Sequence, residues 1–99
     1  MKPIDFGAAA ASELETIQRY YDGISGNLGS RFRSELERML AIIEAHPQLF
    51  ARDSGHNRRA ILRRFPYSIV YRDLTDRIWV AAVVHHRRKR RTWLRRKPS

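Results

Sequence analysis

Eight arginines and lysines and no acidic residue stand between His85 and Ser99, and five of them form the unbroken run Arg87, Arg88, Lys89, Arg90 and Arg91. Such a run offers fixed positive charge to phosphate or carboxylate, and Trp93 just beyond it is suited either to anchor in a partner's pocket, to stack on a base or to pack back onto its own domain. A second basic group, Arg58, Arg59, Arg63 and Arg64, brackets Ala60–Leu62. Arginine remains protonated at neutral pH, so it can stabilise a phosphorane but is a poor general base. Imidazole is the usual base near pH 7, which draws attention to His85 and His86. Adjacent strand residues point to opposite faces, however, and no carboxylate lies within several positions, so a structural use of this pair outweighs a catalytic or metal-binding one. Neither a metal nor a cofactor is expected.

The charge that makes this chemistry is local. Residues 1–84 carry 12 basic and 10 acidic side chains, whereas residues 85–99 carry 8 basic and none acidic. The imbalance therefore describes a site more than a means of staying soluble. A chain of 99 residues supports one domain with one modest core, here expected over 1–99 with a basic tail from about residue 86. The absence of cysteine removes disulfides, thiolate zinc sites and thiol nucleophiles, and fits a reducing cytoplasm. Neither a signal-like apolar stretch at the N-terminus nor a run of about 20 apolar residues is present, so a soluble intracellular protein without a membrane partner is expected.

The elements that must position these side chains are legible from periodicity. Lys2–Phe6 reads as an edge strand. Ala8–Ile24 reads as a helix with Leu14, Ile17, Tyr21 and Ile24 on its apolar stripe, and with Ser12 and Glu15 as a capping pair if it begins late. Tyr21 thus belongs to a core, and neither it nor Tyr20 is taken as a substrate contact. The Ser25, Gly26, Asn27 and Gly29 cluster reads as a turn. Leu28, Phe32, Leu36, Met39, Leu40 and Ile43 then define a second helix that Pro47 closes. Gln48–Asn57 has no period and reads as a loop. Three strands follow, around Ala60–Leu62, over Tyr67–Arg72 and over Ile78–His85, with Asp73–Asp76 as a hairpin turn. The last strand is apolar on both faces and is placed inside the sheet. The whole is an α+β fold of order β-α-α-β-β-β, a helical hairpin packed on a small, mainly antiparallel sheet. The last ten or so residues are low in complexity, and partial disorder without a partner is expected there.

The blocks ASELETIQRYYDGIS, RFRSELERMLAIIEAHP, RRAILRRFPYSIVYR and IWVAAVVHHRR, followed by Trp93, together resemble the RelE/ParE superfamily of bacterial type II toxins over nearly the whole chain. The resemblance implies a toxin made beside a cognate antitoxin, whose acidic and apolar segment folds onto the toxin and neutralises it in a hetero-oligomer. It places antitoxin contacts at Leu28, Phe32, Arg59 and Tyr67, in a groove between the helical hairpin and the sheet, and target contacts at Arg87, Arg88, Lys89, Arg90, Arg91 and Trp93.

Two branches of that superfamily differ in chemistry. The RelE-like branch cleaves messenger RNA on the ribosome with basic and tyrosine side chains, and the residues available for that work here are Arg88, Arg63 and His85. The ParE-like branch poisons DNA gyrase. Where the RNase branch commonly carries an arginine after the tyrosine of the second hairpin strand, this chain has Ser68; where it carries a tyrosine after the last strand, the nearest aromatic is Trp93, whose indole cannot exchange the proton that a phenol can. The wording FPYSIVY and VVHHRR leans the same way, so a gyrase-directed toxin is the first reading and a ribosome-dependent endoribonuclease the second. A third reading is a small basic nucleic-acid-binding module.

Overall fold

In the computed structural model, which describes residues 1–88 and 91–98, the chain runs β1 (Ile4–Phe6), α1 (Ala8–Ile24), α2 (Gly26–Ala45), β2 (Arg52–Ser54), β3 (Asn57–Ile61), β4 (Tyr67–Asp73) and β5 (Ile78–His85), then a single 3-10 turn at Thr92–Arg95. The sheet order is β1-β5-β4-β3-β2, with β1 parallel to β5 and every other pairing antiparallel. This is the expected α+β arrangement, and β5 lies inside the sheet as its two-sided apolar pattern required.

Three local expectations are corrected. The Gln48–Asn57 stretch is not all loop: Arg52–Ser54 pairs with β3 as an edge strand. Its three polar residues bury no apolar face, so no period marks them. The turn expected over Ser25–Gly29 shrinks to one extended residue, Ser25, whose N–H closes α1 on the Tyr21 carbonyl while its hydroxyl accepts from Leu28 N–H at 3.0 Å to cap α2. Gly29 is then a helical residue packed against Asp22 of α1, where a Cβ would collide with the Asp22 carboxylate and stand 3.2 Å from its backbone. Finally, α1 begins at Ala8, with Gly7 at the N-cap and no side-chain cap, so Ser12 and Glu15 lie inside it.

The first core lies between the helices and the sheet. Ala10, Ile17 and Tyr21 of α1 and Phe32, Leu36, Met39 and Ile43 of α2 pack on Ile69, Tyr71, Ile78, Val80 and Val83. Ile24, expected on the α1 stripe, is 56% exposed, being the last residue of the helix before the chain reverses. Tyr21, Phe32, Phe65 and Tyr67 form a nest of tilted and edge-on rings with centroids 5.0–6.3 Å apart.

A bulge in β5 gives the sheet a second core. Val70 pairs with Ala82 and Tyr71 with Val80, which leaves Ala81 as an extra residue and shifts the alternation by one. Ile78, Val80 and Val83 consequently face the helices, while Trp79, Ala81, Ala82 and Val84 join Val70 and Trp93 in a separate cluster on the other side.

Two tyrosines register the first core electrostatically. Burial pushes the Tyr21 hydroxyl up to about 12, with the neighbouring Tyr67 adding to the shift, and burial likewise raises Tyr71 to about 12 against a lowering effect of Arg58. Tyr71 donates to the Pro47 carbonyl at 2.7 Å and ties the end of α2 to β4. Because the folded values exceed the unfolded value of about 10, stability is complete below that pH and is lost as pH rises towards 12. The urea midpoint is therefore expected to stay level up to about pH 9 and to fall between about pH 10 and 12. Tyr71→Phe should lower stability at about pH 8 by roughly 1 kcal/mol and flatten the alkaline decline; an equally steep decline in the variant would show that Tyr71 is not one of its causes.

Candidate functional site

The basic tail is held in place by a set of charges that begins in α1. Glu13 falls between Ala10 and Ile17 on the inward side of that helix, and its carboxylate is largely shielded from solvent. β1 pairs only with Ile78–Val80, so beyond Val80 that edge of β5 has no strand beside it. Two side chains take the strand's place: Val83 N–H donates to Glu13 Oε1 at 3.0 Å, and Arg96 Nη1 donates to the Ala81 carbonyl at 2.8 Å. Arg96 also grips Glu13 with both terminal nitrogens, each at 3.0 Å, and Arg88 reaches the same carboxylate at 3.6 Å. An exposed strand edge is thus closed by a bidentate ion pair that also fixes the tail.

The remaining contacts draw the tail across the second face of the sheet. Trp93, in the 3-10 turn, has no exposed surface; its Nε1–H donates to Asp53 Oδ2 at 3.2 Å. The Arg59 guanidinium lies 5.1 Å from the centre of the indole and is itself paired with Asp53 at 3.3 Å. Arg72 stacks on Trp79 at 5.1 Å, donates to Asn57 Oδ1 at 2.9 Å and to the Arg96 carbonyl at 2.8 Å. The disorder expected of the tail is accordingly corrected for residues 91–98. Asp53 explains the hidden strand: β2 exists to hold a carboxylate where the tail crosses.

The residues singled out from the sequence divide over several places. Arg87 and Arg91 are exposed, Arg88 is partly engaged with Glu13 and Thr92, and Trp93 is buried under its own tail rather than presented to a partner. Lys89 and Arg90 lie outside the described residues. His85 is half-buried with its ring against Tyr67 at 5.3 Å, and its Nδ1 accepts from Arg87 N–H; His86 lies 2.9 Å from the Tyr67 carbonyl. Arg63 is in the exposed β3–β4 loop with Arg64, not on a strand. Of the four positions expected to touch an antitoxin, Phe32 is fully buried, Leu28 and Tyr67 are half-buried on the helix side, and Arg59 is on the opposite face beneath Trp93. They do not form one surface. Among the described residues no three His, Cys, Asp or Glu side chains gather as metal ligands would, and no helix is long and apolar enough to cross a membrane.

The family model of the ParE toxin of the type II toxin-antitoxin system parDE matches residues 4–90. The chain belongs to the ParE toxin family. Among solved structures, a chain of the chromosomal ParDE toxin-antitoxin system from P. aeruginosa shares the fold, with a TM-score of 0.73 at 18% identity, covering 86% of this chain and 96% of that one. No curated protein matches the sequence significantly. The ParE-like branch of the RelE/ParE superfamily, preferred on the wording around Ser68 and His85, is the one that the family match supports.

Two residues that matter most for the ParE tail, Glu13 and Asp53, were missed in the sequence. A signal for Glu13 was present, since an acid stands on the inward stripe of an otherwise apolar helix face; Asp53 had none. Two substitutions separate a built contact from an idle one. Glu13→Ala leaves the Val83 N–H and the Arg96 guanidinium without their carboxylate and should cost about 2–4 kcal/mol in urea unfolding. Ser68 Oγ is buried and has no hydrogen-bond partner among the described residues, so Ser68→Ala should be neutral or stabilising by up to about 1 kcal/mol. A Glu13→Ala variant as stable as the parent would show that the edge of β5 does not depend on this carboxylate.

Proposed function

We propose that this ParE toxin acts on DNA gyrase by binding alone, in the cytoplasm, and that a cognate antitoxin neutralises it with an acidic segment that folds on contact. The observation that carries this reading is the closed second face of the sheet. The RNase branch, as the resemblance implies, places an arginine after the β4 tyrosine and a tyrosine beyond the last strand. Here those places hold Ser68, fully buried, and Trp93, which has no exposed surface and is covered by the tail. Neither group can hold a proton in transit or meet a ribose, and the Arg59 and Arg72 guanidinium groups on that face are occupied with indoles, Asp53 and Asn57. Arg88, Arg63 and His85, the residues an RNase would use, are respectively tied towards Glu13, carried in a loop and set edge-on against Tyr67.

An antitoxin as partner is supported by the family match and by the fold's similarity to a chain of a ParDE toxin-antitoxin system. The exposed positive charge of Arg87 and Arg91 would speed the encounter with an acidic chain and weaken as salt screens it. Target recognition is assigned to the same exposed cations rather than to Trp93.

The test combines purified gyrase, ATP and plasmid with the antitoxin-free toxin. The expected outcome is an accumulation of protein-linked double-strand breaks, reduced about tenfold or more by Arg87→Glu/Arg91→Glu and unaffected by Ser68→Ala. Intact gyrase cycling, together with messenger RNA cut on toxin-treated ribosomes, would overturn the reading in favour of the endoribonuclease.

A further inference from the structure

A second cationic site lies away from the tail. Leu28, Arg31, Glu35 and Arg38 recur along one side of α2 at three- and four-residue spacing, next to the buried stripe of Phe32, Leu36 and Met39. The β3–β4 loop runs alongside and carries Arg63 and Arg64, and between loop and helix is an open groove of about 880 Å³ that none of the described tail residues lines. Its one carboxylate is committed to structure: Glu35 is 7% exposed, and its Oε2 accepts from Arg64 N–H at 3.0 Å, which pins the loop to the helix. Arg31, Arg38, Arg63 and Arg64 are all exposed, and among the described residues none of them forms an ion pair. Four guanidinium groups therefore share one groove with a single carboxylate, which leaves a clear excess of positive charge there.

We infer that this groove binds the phosphodiester backbone of a nucleic acid, separately from the tail. Guanidinium forks match phosphate oxygens in pairs, and the Ser30 and Ser34 hydroxyls, one helical turn apart on the same wall, add neutral donors of the kind that fix a backbone in register. Arg31 and Arg38 are seven residues apart, roughly 10 Å along the helix axis at about 1.5 Å per residue, close to the rise of three base pairs at about 3.4 Å each. An acidic peptide would be drawn by the same charge, but a strand-like peptide needs an unpaired sheet edge beside the groove. β3 offers only a short one: β2 pairs with it at Asn57 and Arg58, and Ala60 and Ile61 alone extend past that pairing, fewer residues than a strand of usual length needs. The inference does not rest on gyrase being the target, since it concerns only what the groove holds.

The test measures binding of the full chain to a labelled 20-base-pair duplex by fluorescence anisotropy over a range of salt. The quadruple variant Arg31→Gln/Arg38→Gln/Arg63→Gln/Arg64→Gln should bind at least tenfold more weakly near 0.1 M salt and flatten the salt dependence of log K by up to about 3.6, at roughly 0.9 for each phosphate no longer neutralised. The matching Arg→Lys variant should keep most of that slope, because charge is retained. Amide shifts on adding duplex to the parent protein supply a readout that does not depend on how the variants fold: residues 30–38 and 63–65 should move at the lowest DNA concentrations. A slope changed by less than one, shifts confined to residues 87–98, or tighter binding of polyglutamate than of DNA at equal charge would each overturn the inference, the last in favour of an acidic protein segment.

Discussion

The open edge of β5 is the constraint around which this domain is arranged. A central strand must satisfy its backbone groups on both sides, and β1 is too short to cover more than Ile78–Val80. The bulge at Ala81 makes the need more acute, because it breaks the ladder where the edge strand has already ended. Glu13 and Arg96 meet the two stranded groups, Val83 N–H and the Ala81 carbonyl, and they neutralise one another while doing so. Burying either charge alone would cost more than the hydrogen bond returns; burying them as a bidentate pair is tolerable.

From this one pairing the rest of the tail follows. Once Arg96 is fixed at the β5 edge, the segment before it must cross the second face of the sheet, where Trp79 already points and towards which the bulge has turned Ala82 and Val84. Trp93 covers them. Its indole N–H then needs an acceptor, which Asp53 supplies, and Asp53 in turn holds Arg59 over the ring. The surface that in the RNase branch of the superfamily is implied to do chemistry is, in this chain, the floor beneath its own C-terminal segment. Of the residues at the places that the resemblance would assign to cleavage, Ser68 and Trp93 are buried and Arg88 is partly paired with Glu13.

Much of this architecture could be read from the residues. The helical hairpin announced itself through a regular apolar period, and β5 through apolar residues on both faces, because burial imposes those patterns directly. What stayed hidden was set by single polar contacts. Arg52–Ser54 is held by its backbone and by polar contacts of Asp53, Ser25 makes a whole interhelical link by capping both ways, and the bulge at Ala81 moves Val83 across the sheet without altering composition. The charge run after His85 was plain, but the fate of its individual members was not. Arg88 and Arg96 look alike in sequence to Arg87 and Arg91, and only the position of Glu13, 70 residues or more away, separates those held by the fold from those left to a partner.

The claim on which this account turns is that the second face is closed by the tail in the native state. Hydrogen exchange followed by NMR reports on this directly at the Trp93 indole N–H and the Val83 amide. Both should exchange only through global unfolding, with protection falling in step with stability as urea is added. Exchange of the indole proton through a local opening far below the global free energy, with Val83 amide protection lost alongside it, would mean that the tail lifts readily, and a sheet face available for RNA would contradict the account.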